Sequence, residues 1–282
     1  MTGTLSTLTD TVCTEPEQNN LLLADFTRRT GLVVDNVDYD WYVAPDGGKG
    51  LALVETTSPT TVLKLGDWNP EPQPDTFYQG WIAYADGREP RLIFQTVEKL
   101  FLFRWTPDSR YLVLNEFCYG GPGILTEGIG LLAIDASSAT TYVLSDSYSG
   151  ACEGSVAYQI ASDSQHLIYE PGIVTTLDGA VQVRVCGEQE WARSYTWSQD
   201  GRYAYLSCYV SPDETDTLRR YDVLTGENRV LVPRDCLAFK SIDMAISPDQ
   251  THLAFSWGTS NFIPLERYGI WVVDLTKLGD CQ

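Results

Sequence analysis

The chain has 282 residues, 43% of them hydrophobic and 12% aromatic, with 19 Lys and Arg against 38 Asp and Glu for a formal net charge of −19. A surface of that sign repels phosphate backbones and anionic headgroups, which argues against nucleic acid and against a membrane surface as partners. There is no apolar run of the roughly 18 residues a membrane helix needs, and Gly and Pro are scattered among 16 Tyr and 8 Trp, the composition of many short strands joined by turns.

Residues 1–20 are polar and Thr-rich, without the basic start and apolar stretch of a signal peptide, and are expected to form a flexible lead-in. LLLADFTRRTGLVV at 21 predicts a pair of strands over 21–34 turning at Asp25. From there two patterns alternate. The first is YVAPDGGKGLALVE at 42, WTPDSRYLVLN at 105, IASDSQHLIYE at 160, WSQDGRYAYLS at 197 and ISPDQTHLAFS at 246, with a polar turn centred on Asp46, Asp108, Asp163, Asp200 and Asp249. Pro, Asp, Gly and Ser supply tight-turn geometry, so each copy predicts a β-hairpin. The second is GWIAYADGREPRLIF at 80, GLLAIDASSATTYVL at 130, IVTTLDGAVQVRV at 173, LRRYDVLTGENRVL at 218 and GIWVVDLTK at 269, with Asp86, Asp135, Asp178, Asp222 and Asp274 in the turn.

Two hairpins per unit make a four-stranded meander, and the first-pattern Asp residues lie 62, 55, 37 and 49 positions apart, close to the repeat of a propeller blade once long loops are allowed. The repeat resembles the TolB-type, WD40-like (PD40) propeller repeat. That resemblance implies an all-β fold, a β-propeller of four-stranded antiparallel blades. Five blades are expected, with a sixth as the alternative, over approximately 38–95, 99–145, 154–186, 192–233 and 239–278 of a single domain spanning 21–282. The last copy stops at DLTKLGDCQ without a return strand, so the strands of 21–34 are expected to pack beside the C-terminal blade and close it.

Seven Cys occur, at 13, 118, 152, 186, 208, 236 and 281, without a Cys-x-x-Cys pair and with only two His, so no metal site or cofactor is expected. In the propeller frame, Cys118 and Cys152 occupy the same two loop positions as Cys208 and Cys236 two blades later. Disulfides Cys118–Cys152 and Cys208–Cys236 are therefore expected, with Cys13 and Cys281 clasping the termini and Cys186 left over. Bonded pairs of this kind imply a periplasmic, cell-surface or secreted protein.

No catalytic residues are assigned. His166 and His252 take the repeat position of Tyr111 and Tyr203 and are expected to pack as Tyr does, and GACEG at 150 has the form of a nucleophile elbow without the strand-to-helix setting. Glu116, Glu153, Glu190 and Asp243 stand outside the turn pattern, and DNVDYD at 35 is dense enough in carboxylate to invite a calcium reading. The connections between second and third strands are long in four blades, roughly 56–79, 116–129, 208–217 and 257–268. Loops vary where function lies. Trp68, Tyr119, Tyr148, Glu153, Trp191, Arg193, Tyr209, Trp257 and Phe262 are the candidate ligand-binding residues. They suit a protein, peptide or glycan ligand on a monomeric binding or scaffold module. A carbohydrate-active hydrolase with paired carboxylates at the channel mouth is one alternative, and a propeller module of a larger protein is another.

Overall fold

The computed structural model describes residues 16–58, 60, 62–65, 76–96, 101–116, 130–145, 158–210, 216–233, 241–257 and 270–277. Among them the chain is nearly all-β and forms five sheets in chain order. Blade 1 holds β1 (Trp41–Val43), β2 (Lys49–Thr56), β3 (Leu63–Leu65), β4 (Phe77–Tyr84) and β5 (Arg91–Thr96), ordered β1-β2-β4-β5-β3. Blade 2 holds β6 (Phe101–Trp105), β7 (Tyr111–Glu116), β8 (Leu131–Asp135) and β9 (Thr140–Ser145). Blade 3 holds β10 (Tyr158–Ile160), β11 (His166–Tyr169), β12 (Ile173–Thr176) and β13 (Gln182–Arg184). Blade 4 holds β14 (Trp191–Trp197), β15 (Tyr203–Tyr209), β16 (Asp216–Asp222) and β17 (Asn228–Val232). Blade 5 shows three strands, β18 (Ser241–Ile246), β19 (His252–Trp257) and β20 (Ile270–Asp274). These are antiparallel meanders of propeller type, and five sheets match the five expected blades.

The turns explain why this sequence makes hairpins where it does. In blade 2 the Thr106 hydroxyl donates to Asp108 at 2.6 Å, and Asp108 accepts the backbone N–H of Arg110 at 3.0 Å. Ser198 with Asp200 and Ser247 with Asp249 repeat this at 2.6 Å each. Gly47, Ser109, Ser164, Gly201 and Gln250, each following a turn Asp by one residue, all have φ between 57° and 72°, the left-handed conformation such a turn requires. The second hairpins use the same device, Asp86, Asp135, Asp178, Asp222 and Asp274 each accepting the N–H two residues on.

The contacts divide the chain into two compact units, Met1–Thr141 with Ser145–Gly154, and Tyr142–Leu144 with Ser155–Gln282. Within the first, Leu51, Ile82, Phe94, Leu112, Leu132 and Ile134 form the core. Within the second, Ile168, Trp197 and Leu206 form one cluster and Tyr205, Leu218, Leu253 and Phe255 another. The units share one way of joining neighbouring blades. The indole N–H of Trp105 donates to the Tyr42 carbonyl at 2.8 Å, and that of Trp197 to the Gln159 carbonyl at 3.1 Å, each time from the end of one first strand to the middle of the preceding one.

Residues 21–34 are not a strand pair. Pro16–Thr30 is an α-helix, α1, whose Leu22 and Phe26 are buried one turn apart and join Val34, Trp41, Ala52, Val54 and Ala83 in a cluster on blade 1. Asp25 is a helix-surface residue, bonded to Arg28 one turn on and to the Arg29 guanidinium at 2.6 Å. Gly31, at φ 71°, ends the helix, its N–H reaching the Thr27 carbonyl at 2.8 Å. Within its own unit the segment packs on blade 1 as a helix and supplies no closing strands.

A further departure is β3. It leaves the long connection after β2 and pairs with β5 in parallel, the one parallel pair among the described strands, so blade 1 has a fifth, outermost strand.

Candidate functional site

At the end of blade 4 opposite its Asp turns, three of the nine candidate residues come together. The chain reaches β14 through a tight turn in which the Glu190 N–H donates to the Gly187 carbonyl at 2.9 Å and the Glu190 carboxylate accepts the Gly187 N–H at 2.8 Å. Arg184 and Arg219 hold the same turn, Arg184 through the Glu190 carbonyl at 2.9 Å and Arg219 through its carboxylate at 3.1 Å. Trp191 follows directly. It stands opposite Tyr209 across the β14–β15 pair and keeps 37% of its surface exposed.

Two residues further on, the register slips. Ala192 faces Cys208 and Ser194 faces Ser207, so Arg193 is the extra residue of a β-bulge. A bulge re-aims the side chain it carries. Here the Arg193 guanidinium lies 4.0 Å above the Tyr209 ring and its Nε donates to Asp216 at 3.2 Å. Asp216 has no exposed side-chain surface, and the Ser207 hydroxyl donates to its other oxygen. A carboxylate so enclosed is stable only with its cation in place. Arg193 is thus fixed on one side by charge and on its face by an aromatic ring, with 19% of its side chain exposed.

The disulfide lies directly beneath. Cys208 is bonded to Cys186, with 5.6 Å between Cα atoms, and both are buried. This corrects two expectations: Cys208 does not pair with Cys236, and Cys186 is not left over. The reason is packing between neighbouring blades. Cys186 leaves the outer strand of blade 3 and lies against Gly172 and Ala192, where a side chain at Gly172 would come within 2.7 Å of its sulfur. Cys208 enters the same space from the middle of blade 4, opposite Ala192. Cys118, Cys152 and Cys236 lie outside the described residues, as do Cys13 and Cys281.

Next to this cluster, on the inner strand, burial raises the hydroxyl of Tyr195 well above the usual phenol range, and the charge of Glu170 adds to the shift. The Tyr195 hydroxyl is buried without a hydrogen-bond partner among the described residues. Glu170 is exposed as a residue, yet packing on one side desolvates its carboxyl and raises it.

Trp68, Tyr119, Tyr148, Glu153 and Phe262 lie outside the described residues. Trp257 ends β19 in register with Ser241. His166 sits half-buried beside Trp197, 6.3 Å between rings, with Nδ1 2.6 Å from Asp163. His252 is exposed and bonded to the Thr251 hydroxyl at 2.7 Å, so it does not pack as Tyr203 does in the same repeat position. The acidic run at 35 is broken up by a short helix, α2 (Val37–Asp40), that buries Asp40 and leaves Asp35 and Asp38 on the surface. Among the described residues no group of three or more His, Cys, Asp and Glu could hold a metal ion.

No protein-family model matches the chain, and no curated protein sequence matches it. Solved structures do. An oligogalacturonate lyase in complex with manganese is 15% identical over 84% of this chain and 50% of its own, with a TM-score of 0.36. A putative TolB from Agrobacterium tumefaciens is 16% identical over 68% of this chain and 64% of its own, TM-score 0.37. Hydrazine synthase from Kuenenia stuttgartiensis is 14% identical over 84% and 62%, TM-score 0.42. The chain thus spans half to just under two thirds of each. With every TM-score below 0.5, no residue role passes from these proteins to this chain.

Proposed function

We propose that the chain is a non-catalytic, extracytoplasmic propeller module that binds a protein, peptide or glycan at the loop ends of its blades, with Trp191, Arg193 and Tyr209 as blade 4's contribution. The observation that carries this reading is the bulge at Arg193. A residue displaced from the ladder, stacked on one aromatic ring and set two positions from an exposed indole is built for contact with something outside the sheet. The Cys186–Cys208 disulfide supports an oxidising compartment, and no helix among the described residues is long and apolar enough to cross a membrane.

The test is a binding screen of the purified chain against extracellular proteins, peptide libraries and glycans, repeated with Trp191→Ala. Loss of the strongest interaction with an unchanged melting temperature is the expected outcome. Undiminished binding by a folded variant rejects this surface. Glu170 favours a hydrolase as the second reading, because a carboxyl raised by desolvation can act as a general acid. Release of sugar from any glycan that Glu170→Gln abolishes would put that reading first.

A further inference from the structure

Resting on the reading of blade 4's loop end as the binding site, we infer that its ligand is a neutral glycan, bound with a pyranose ring on Trp191 and a ring hydroxyl or ether oxygen on the Arg193 guanidinium. Arg193 supplies the first half of the case. Its Nε is committed to Asp216 and its face to Tyr209, while its two Nη groups have no partner among the described residues. Donors held this way cost little ordering on binding, so they suit a ligand oxygen that arrives in a fixed position. Because buried Asp216 already balances the charge of Arg193, the fork offers hydrogen bonds without demanding an anion.

Trp191 supplies the second half. An exposed indole two residues from a fixed fork matches a sugar, which presents an apolar C–H face and polar edges within one ring. Glu188 and Gln189, both exposed in the turn before Trp191, can accept or donate to the remaining hydroxyls. The formal charge of −19 works against a polyanionic chain at the same place.

The experiment is isothermal titration of the purified chain with hexasaccharides of glucose, mannose, xylose and galactose in their common linkages, with a polyuronate hexamer and peptides as contrasts. At least one neutral hexasaccharide should bind, and more tightly than the polyuronate. Trp191→Ala should weaken it about tenfold, which is about 1.4 kcal/mol, and Trp191→Phe less. Arg193→Lys, which keeps a positive charge beside Asp216 but loses the fork, should weaken it by a similar factor. Failure of every neutral hexasaccharide, or equal binding by a folded Trp191→Ala protein, overturns the inference. If a protein or peptide binds instead and depends on Trp191, the glycan assignment falls while the binding surface stands. If nothing that binds depends on Trp191, both fall.

Discussion

The two ends of blade 4 are built by different rules. At its turn end it repeats blade 2: Arg202 bonds Asp222 at 2.7 Å as Arg110 bonds Asp135 at 3.2 Å, and each Arg lies 4.8 Å from the ring of the Tyr beside it. The Arg–Asp pairs are 20 and 25 positions apart, yet each joins the strand after the first turn to the Asp of the second turn, so the repeat itself specifies them. At its loop end the decisive partners are Arg193 with Asp216 and Cys186 with Cys208, at similar separations of 23 and 22 positions but outside the repeat pattern. One end is a repeated component that keeps the sheet a sheet. The other is held by bonds that occur once among the described residues and can be altered without disturbing the hairpins.

That contrast breaks most visibly at the disulfide. Replacing Cys186 and Cys208 together by Ala should cost about 3 kcal/mol in the chain-entropy account, read as a lower urea midpoint. A double variant as stable as the parent would mean that the loop end does not depend on the bond. A smaller effect is expected at the turn end. Arg202→Met should cost about 1–2 kcal/mol, because Asp222 is 5% exposed and loses the guanidinium that, with the Leu224 and Thr225 N–H groups, holds it at about 2. The sign follows from that depressed value. The stabilisation is complete above the unfolded carboxyl's value near 4 and is lost as pH falls from about 4 to about 2. Stability measured against pH should therefore drop less steeply over that interval in Arg202→Met than in the parent, and equal slopes would remove Arg202 from the account. The least effect belongs to blade 5, where Asp274 bonds Lys277 at 2.8 Å with 81% of the lysine exposed. Lys277→Ala should leave the midpoint where it was, and a clear shift would show that solvent does not screen the pair as its exposure implies.

Much of this was legible beforehand. Ten turn Asp residues in two alternating patterns predicted the hairpins and their order, because an Asx turn is fixed by its own neighbours. Asp25 shows the limit. In ADFT it reads as the same turn, and only the buried pair Leu22 and Phe26, spaced for a helix, speaks for α1. The disulfide was misassigned for a related reason. Matching loop positions placed Cys208 with Cys236, whereas the bond forms across the packing between blade 3 and blade 4, which no spacing within a repeat encodes. Of the candidate site, the long loops and entry segments of one face picked out Trp191, Arg193 and Tyr209, but Asp216 and Ser207, which give Arg193 its position, look in sequence like an ordinary strand start and an ordinary strand interior. A polar residue whose alternation places it inward, as Ser207 does between Leu206 and Cys208, was the signal available.

The parallel strand β3 has a consequence for how the protein would behave in concentrated solution. Without it, β5 would present a row of free N–H and C=O groups beside the buried Ile93 and Phe94, the kind of margin along which separate molecules add to one another. Its three residues give blade 1 a hem, and shortening the connection that carries them would be felt first as turbidity and concentration-dependent self-association, while the hairpins themselves stayed intact.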